Sequence, residues 1–158
     1  MSVPPPANFR LAPILIAGAT ASGKSALAMR LARELGGVVI NADSMQVYRE
    51  LNILTARPSA ADEMACPHAL YGHVRAHEAY SVGRYVTEAA KAIESAQAQG
   101  LRPIITGGTG LYFKGLTEGL SPIPDVAGDV RAYWRKQAEA VGAQKLYGIL
   151  LLRDPAMA

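Results

Sequence analysis

A phosphate-binding motif lies near the start of the chain. The pattern G-x-x-x-x-G-K-[ST] is matched in full by Gly18, Ala19, Thr20, Ala21, Ser22, Gly23, Lys24 and Ser25. In loops of this type, backbone N–H groups and the lysine ammonium surround the phosphate oxygens, and the hydroxyl of the last residue ligates Mg²⁺. The sequence therefore predicts that these eight residues bind a diphosphate or a nucleotide, with Ser25 as a ligand of the metal ion.

The neighbouring sequence supplies the two elements that such a loop requires. The apolar residues 14–17 precede the motif and predict a buried strand. From Lys24 to Leu35, leucines recur every four positions with alanines beside them, which predicts a helix with one face toward the core. A phosphate between this strand and this helix would lie at the helix N-terminus, where the backbone dipoles favour an anion.

Asp43 is a second residue that could do chemistry, because it follows the apolar run 38–41. It could ligate Mg²⁺ together with the hydroxyl of Ser25, as in phosphoryl-transfer enzymes. It could act instead as a general base toward a nucleophile that faces the bound phosphates. A structural alternative is a helix cap for the turn that begins at Ser44. The three roles require different partners, and the residue types alone leave them open.

Apolar strands and amphipathic helices alternate along most of the chain. After the second predicted strand, at 38–41, a helix is predicted from the N-cap Ser81 to a stop at Gly100, and a third strand at 102–106. Residues 44–80 show no clear period and predict loops with short helices. This order predicts an α/β fold of the P-loop NTPase type, with a parallel sheet covered by helices on both faces.

The predicted sheet brings three separate features to one edge. The phosphate-binding motif, Asp43 and the glycine-rich turn 107–110 each follow a predicted strand. Ligands of open parallel sheets bind beyond the carboxyl ends of the strands. We therefore expect the active site at this edge.

Changes in composition divide the chain into three segments. Residues 1–12, with three consecutive prolines, predict a disordered lead-in, and residues 13–119 predict an incomplete P-loop catalytic core. Residues 120–158 form the third segment. This last segment consists of a linker and two helices, predicted at 120–125, 126–141 and 143–153.

Composition limits the classes of function. The 158 residues are 50% hydrophobic and 18% charged, as in an ordinary globular domain. No apolar run approaches the roughly 18 residues that cross a bilayer. The net charge of +3 permits a polyanionic partner without requiring one. A lone cysteine, Cys66, is compatible with the reducing cytoplasm.

The residues around Asp43 resemble a known family. Asp43–Tyr48 reads DSMQVY, and closely resembles a signature of the tRNA dimethylallyltransferases, also called tRNA isopentenyltransferases. The resemblance continues in the family's order through the phosphate-binding motif and through residues 55–58, 67–68, 80–82, 107–112 and 118–124. Two departures are Ala19, where the family usually has proline, and Leu54, where a glycine usually precedes the threonine.

This resemblance implies transfer of a dimethylallyl group from dimethylallyl diphosphate to the exocyclic amine of an adenosine beside the anticodon of tRNA. The diphosphate would be the leaving group, Mg²⁺ would lie near Ser25, and Asp43 would accept the proton of the amine. The resemblance also implies that residues 120–158 begin a helical insertion that binds tRNA. We expect a cytoplasmic enzyme with no membrane partner, and the oligomeric state stays open, with a monomer favoured. Contacts with tRNA are implied for Asp43, Ser44, Met45, Gln46, Thr109 and Arg131.

Two alternatives stay open at this point. One is a small-molecule kinase of the shikimate-kinase type, which uses ATP. Such kinases also combine a phosphate loop, an aspartate after the second strand and a glycine-rich turn, but a kinase would not explain Asp43–Tyr48.

The other alternative is a fragment that binds without catalysis. The transferase family is usually much longer than 158 residues. We therefore expect the N-terminal part of a longer enzyme, with reduced activity in isolation or with only a binding function.

Overall fold

The computed structural model describes residues 11–121 and 126–158, which form two compact units divided between Leu120 and Ser121. The predicted lead-in 1–12 and linker 120–125 lie largely outside the described residues. In the first unit the strands are β1 Ile14–Ala17, β2 Gly37–Asn41, β3 His68–Ala69 and β4 Arg102–Gly107, and the helices are α1 Lys24–Leu35, α2 Ala60–Ala65, α3 Val82–Ala98 and α4 Gly110–Glu118. The second unit contains α5 Gly128–Val141 and α6 Ala143–Arg153.

The strands of the described chain form one parallel sheet in the order β1–β4–β2–β3. The phosphate-binding motif follows β1, Asp43 follows β2, and the glycine-rich turn follows β4. The register places Thr106 of β4 beside Ile16 of β1 and Asn41 of β2. The predicted parallel sheet is therefore confirmed, although β3 was not predicted because two residues are too short to show a period.

Both faces of the sheet are covered, as predicted. Val39 and Ile104 pack on one face against Ala28 and Ala32 of α1. The next residues along each strand, Ile40 and Ile105, pack on the other face with α3 and α4. Successive strand side chains point to opposite faces, so these nearly continuous apolar strands are buried on both sides.

Helix α3 begins as the sequence predicts, because the Ser81 side chain accepts a hydrogen bond from the N–H of Arg84 at 3.1 Å. Helix α4 was not predicted. It begins inside a glycine-rich tract that reads as a turn, yet Tyr112 becomes buried and its ring stacks on Tyr85 of α3 at 3.7 Å. Glycine has a low helix propensity, so tertiary packing must stabilise this helix.

The second unit consists of two helices close to the predicted bounds. Helix α5 carries Arg131 on an exposed position, together with the exposed Arg135 and Lys136. Within residues 11–121 and 126–158, no helix has the length and apolar character needed to cross a bilayer.

Candidate diphosphate and acceptor site

The phosphate-binding motif forms the loop between β1 and α1. Gly23 is the N-cap of α1 and has no side chain, so the first turn of the helix stays open to an external anion. Ala21 has a φ of 62°, which is unfavourable for a residue with a Cβ. The Lys24 ammonium donates a hydrogen bond of 2.8 Å to the carbonyl of Ala19 within the same loop. The lysine charge is thus already directed toward the loop that would hold a phosphate.

Asp43 is held in one orientation by its neighbours. Its Oδ1 atom accepts a hydrogen bond of 2.9 Å from the N–H of Met45. Its own N–H donates to Oδ1 of Asn41 at 2.9 Å, and the Asn41 amide donates back to the Asp43 carbonyl at 3.0 Å. The same amide donates to the Leu70 carbonyl at 3.1 Å. Asn41 therefore anchors Asp43 to the segment after β3.

The sequence reasoning missed Asn41 as a site residue. Asn41 is fully buried at the end of β2. A buried polar side chain requires hydrogen-bond partners, and a polar residue that closes an apolar strand was the available signal. Its partners lie up to 29 positions away, so only the fold identifies them.

The glycine-rich turn lies directly against the Asp43 segment. The Thr109 hydroxyl oxygen accepts a hydrogen bond of 2.9 Å from the N–H of Ser44, and the Thr109 N–H donates to the Ala42 carbonyl at 3.2 Å. A Cβ on Gly107 would overlap the Ala42 carbonyl group, so glycine is required for this approach. The predicted neighbourhood of Asp43, Ser44 and Thr109 is present.

These elements surround a cavity of about 750 Å³. Many of the predicted site residues line this cavity. They are residues 20–25 of the phosphate loop, together with Asp43, Met45 and Gln46. Gly18, Ala19, Ser44 and Thr109 do not line it, and Arg131 belongs to the second unit. The lining residues are Thr20, Ala21, Ser22, Gly23, Lys24, Ser25, Ala26, Asp43, Met45, Gln46, Leu51, Leu54, Thr55, Ala56, Thr106 and Gly107.

Gln46 has a structural task in addition to its predicted contact with a ligand. Its amide nitrogen donates to the carbonyls of Thr55 at 2.7 Å and Ala56 at 3.3 Å. The part of this side chain that remains for a ligand is the amide oxygen. Leu51, Leu54, Thr55 and Ala56 were missed as lining residues because they fall in the tract without sequence periodicity.

The oxygen donors on the cavity wall suit magnesium. Ser25 offers a hydroxyl and Asp43 a carboxylate, and the buried hydroxyl of Thr106 has no hydrogen-bond partner among the described residues. The described residues contain no group of three or more histidines, cysteines and carboxylates that could enclose a metal alone. Mg²⁺ is commonly held by one or two protein oxygens together with substrate phosphates and water, so this donor set fits it.

Two buried phenols near Asp43 stay neutral. Burial raises the pKa of Tyr71, and the Asp43 carboxylate raises it further. Burial, Tyr48 and Asp43 likewise raise the pKa of Tyr112 to about 12. Neither phenol is therefore ionised near pH 7, and neither adds negative charge near Asp43.

The sequence matches two family models. The model described as IPP transferase matches residues 46–158, and the model described as isopentenyl transferase matches residues 12–75. The chain belongs to the IPP transferase family. This membership favours the transferase interpretation over the small-molecule kinase.

Curated relatives carry the name tRNA dimethylallyltransferase. The chain is 56% identical over 145 residues to the protein of Methylocella silvestris. The aligned residues cover 92% of this chain and 48% of that relative. It is 57% identical over 145 residues to the protein of Allorhizobium ampelinum, with the same two coverages. The chain thus spans about half the length of the curated relatives it matches.

Solved structures of this family share the fold. The full-length tRNA isopentenylpyrophosphate transferase of Bacillus halodurans matches with a TM-score of 0.69 and 32% identity, over 93% of this chain and 49% of that one. A eukaryotic dimethylallyltransferase described as acting on tRNA matches with a TM-score of 0.76 and 32% identity, over 92% of this chain and 36% of that one. These matches agree with the α/β fold of the first unit.

Proposed function

We propose that this chain belongs to an enzyme that transfers a dimethylallyl group from dimethylallyl diphosphate to the exocyclic amine of an adenosine beside the anticodon of tRNA. The observation that carries this proposal is a single cavity lined both by the phosphate-binding loop and by Asp43. The names of the relatives support the reaction and the tRNA substrate. Such an enzyme would act in the cytoplasm.

The phosphate loop would bind the leaving group. Negative charge accumulates on the diphosphate as the allylic carbon–oxygen bond breaks, and preorganised donors stabilise that charge. Lys24 would exchange its hydrogen bond with the Ala19 carbonyl for one with a phosphate oxygen. Each such donor is worth about 3 kcal/mol in comparable oxyanion sites.

Mg²⁺ would be held by Ser25, and the Thr106 hydroxyl and the Asp43 carboxylate line the same cavity. The ion supplies neutralisation of charge on the diphosphate. The hard oxygen donors on the cavity wall support magnesium as this ion.

Asp43 would accept the proton of the acceptor amine. An adenine amine is a weak nucleophile because its lone pair is delocalised into the ring, so removal of a proton as the new bond forms lowers the barrier. The hydrogen bond from Met45 occupies Oδ1. Oδ1 keeps a second lone pair. Among the described residues no hydrogen bond engages Oδ2, so the proton is assigned to Oδ2.

The acceptor base would lie against the segment after Asp43. Met45 is 50% exposed, the Gln46 amide oxygen remains for a ligand, and Ser44 and Thr109 are linked beside them. An adenosine in a folded anticodon loop has to leave its stack to enter a cavity of this kind. Arg131, on the exposed surface of α5, would contact tRNA phosphates from the second unit.

The deciding experiment is an incubation of the protein with unmodified tRNA and isotopically labelled dimethylallyl diphosphate. A parallel incubation contains ATP and candidate small alcohols. Label in the RNA, with release of pyrophosphate, is the expected result. ADP release that depends on a small alcohol, without label in RNA, would overturn the proposal.

A further inference from the structure

One side of the cavity is apolar. Met45, Leu51, Leu54 and Ala56 line the same space as the phosphate loop and Asp43. The Leu54 side chain is 86% exposed. Of these four residues, the steps above use only Met45, and Leu51, Leu54 and Ala56 have no role in them.

The turn that carries Leu54 is held in place at both ends. Gln46 donates to the carbonyls of Thr55 and Ala56, and the Thr55 hydroxyl donates to the Leu51 carbonyl at 2.7 Å. Further along the chain, Arg57 donates to the Arg49 carbonyl at 3.1 Å. Leu54 is therefore presented to the cavity by a braced turn.

Leu54 differs from its neighbour Ile53 in one respect. Both side chains are apolar and strongly exposed, and Ile53 is 92% exposed, but only Leu54 lines the cavity. A single exposed leucine requires no explanation on an ordinary surface. A leucine beside the binding site of an amphiphilic molecule offers a contact for the apolar part of that molecule.

The proposed donor is such a molecule. Its diphosphate would lie on the phosphate loop, and its reacting carbon must lie between that loop and the acceptor beside Asp43. The remaining hydrocarbon has to extend from this carbon toward another wall. The wall formed by Met45, Leu51, Leu54 and Ala56 is apolar, and contact there removes hydrocarbon surface from water.

We propose that Leu54 is a specificity-determining residue that covers the five-carbon hydrocarbon of the donor and favours an allylic diphosphate over free pyrophosphate. This inference rests on the proposed function, because it requires that the phosphate loop binds the donor. It assigns Leu54 a role in binding, and the proton transfer stays with Asp43.

The test measures the binding of two probes to three proteins. The proteins are the wild type, Leu54→Ala and Ile53→Ala. The probes are inorganic pyrophosphate and dimethylallyl S-thiolodiphosphate, which retains the hydrocarbon but ionises poorly, and their affinities are measured by titration calorimetry with Mg²⁺. The wild type should bind the thiolodiphosphate more tightly. Leu54→Ala should weaken that binding about five- to tenfold and leave pyrophosphate binding unchanged. Ile53→Ala should alter neither.

Other outcomes overturn the assignment. An equal loss for both probes would mean that Leu54 only supports the turn, and an equal effect of Ile53→Ala would mean that cavity contact is irrelevant. Unchanged binding of the thiolodiphosphate with weaker binding of tRNA would place Leu54 against RNA. A wild-type protein that binds neither probe would overturn the proposed function itself, whereas normal pyrophosphate binding with no preference for the allyl probe would overturn the Leu54 role alone.

Discussion

The Oδ1 atom of Asp43 accepts a hydrogen bond of 2.9 Å from the backbone N–H of Met45. This bond is local, and in the proposed reaction it leaves Oδ2 as the oxygen that accepts the proton. It also means that an amide in place of the carboxylate can keep the turn, because an amide oxygen accepts the same hydrogen bond. Asp43→Asn therefore separates the chemistry of Asp43 from its structural role.

Asp43→Asn should lower the rate of dimethylallyl transfer about 100-fold or more, the scale of general-base catalysis. The affinity for pyrophosphate with Mg²⁺ should change little, because the phosphate loop is intact. Single-turnover transfer to tRNA and calorimetric titration with pyrophosphate measure the two quantities. If magnesium-dependent pyrophosphate binding disappears instead, Asp43 is a metal ligand and the base is another group.

Lys24→Met should weaken pyrophosphate binding about 10- to 100-fold, because a charge-assisted hydrogen bond to phosphate is lost. The free energy of unfolding should hardly change, since the hydrogen bond that this ammonium makes within the described part of the chain is exposed and ends on the Ala19 carbonyl. Lys114→Met removes the same charge from an exposed helix position outside the cavity and is the matched control. Equal weakening by both variants would show a general effect of net charge.

Gly72→Ala should destabilise the protein by about 2 kcal/mol. Gly72 has a φ of +55°, and a Cβ there would overlap the guanidinium of Arg57, which donates to the Tyr48 and Arg49 carbonyls. Urea unfolding followed by circular dichroism measures the change. Gly83→Ala, at an open helical position of α3, should stabilise by about 0.5–1 kcal/mol. A neutral Gly72→Ala would mean that Arg57 moves freely.

Glu88 should make the free energy of unfolding depend on pH in the acidic range. Partial burial raises its pKa, but hydrogen bonds from Tyr80, Arg84 and His73 outweigh this and lower it to about 2. A carboxylate with a depressed pKa contributes stability above the pKa of the unfolded state, near 4.3, and loses it as pH falls toward 2.

Urea midpoints measured between pH 7 and pH 3 test this expectation. The wild type should lose stability across that range, and Glu88→Gln should start lower and change less with pH. Glu63→Gln, which alters an exposed carboxylate of α2, is the control and should follow the wild type. Parallel curves for wild type and Glu88→Gln would contradict the assignment to Glu88.

Much of the first unit was predictable because local patterns identify its strands, helices and loop chemistry. The motif at 18–25 indicates a phosphate site without any tertiary information, since spacing alone brings the N–H groups, Lys24 and Ser25 together. The period of α1 and the Ser81 cap were sufficient for two helix starts. Helix α4 and strand β3 were not predicted, because their stability comes from packing against distant residues.

The sequence by itself was enough for the α/β class and the resemblance to the transferase family, and it predicted the phosphate-binding loop and Asp43 as a second group that could react. These depend on residue types and on spacings of a few positions. Only the tertiary structure decided that Asn41 holds the Asp43 segment, that Oδ1 of Asp43 accepts a hydrogen bond from Met45, and that Leu54 lines the cavity beside the phosphate loop. The hydrogen bonds that Asp43 makes with Asn41 and Met45 are local in sequence but depend on the backbone conformation after β2. The place of Leu54 depends on contact between segments far apart in the chain. A one-dimensional pattern records neither.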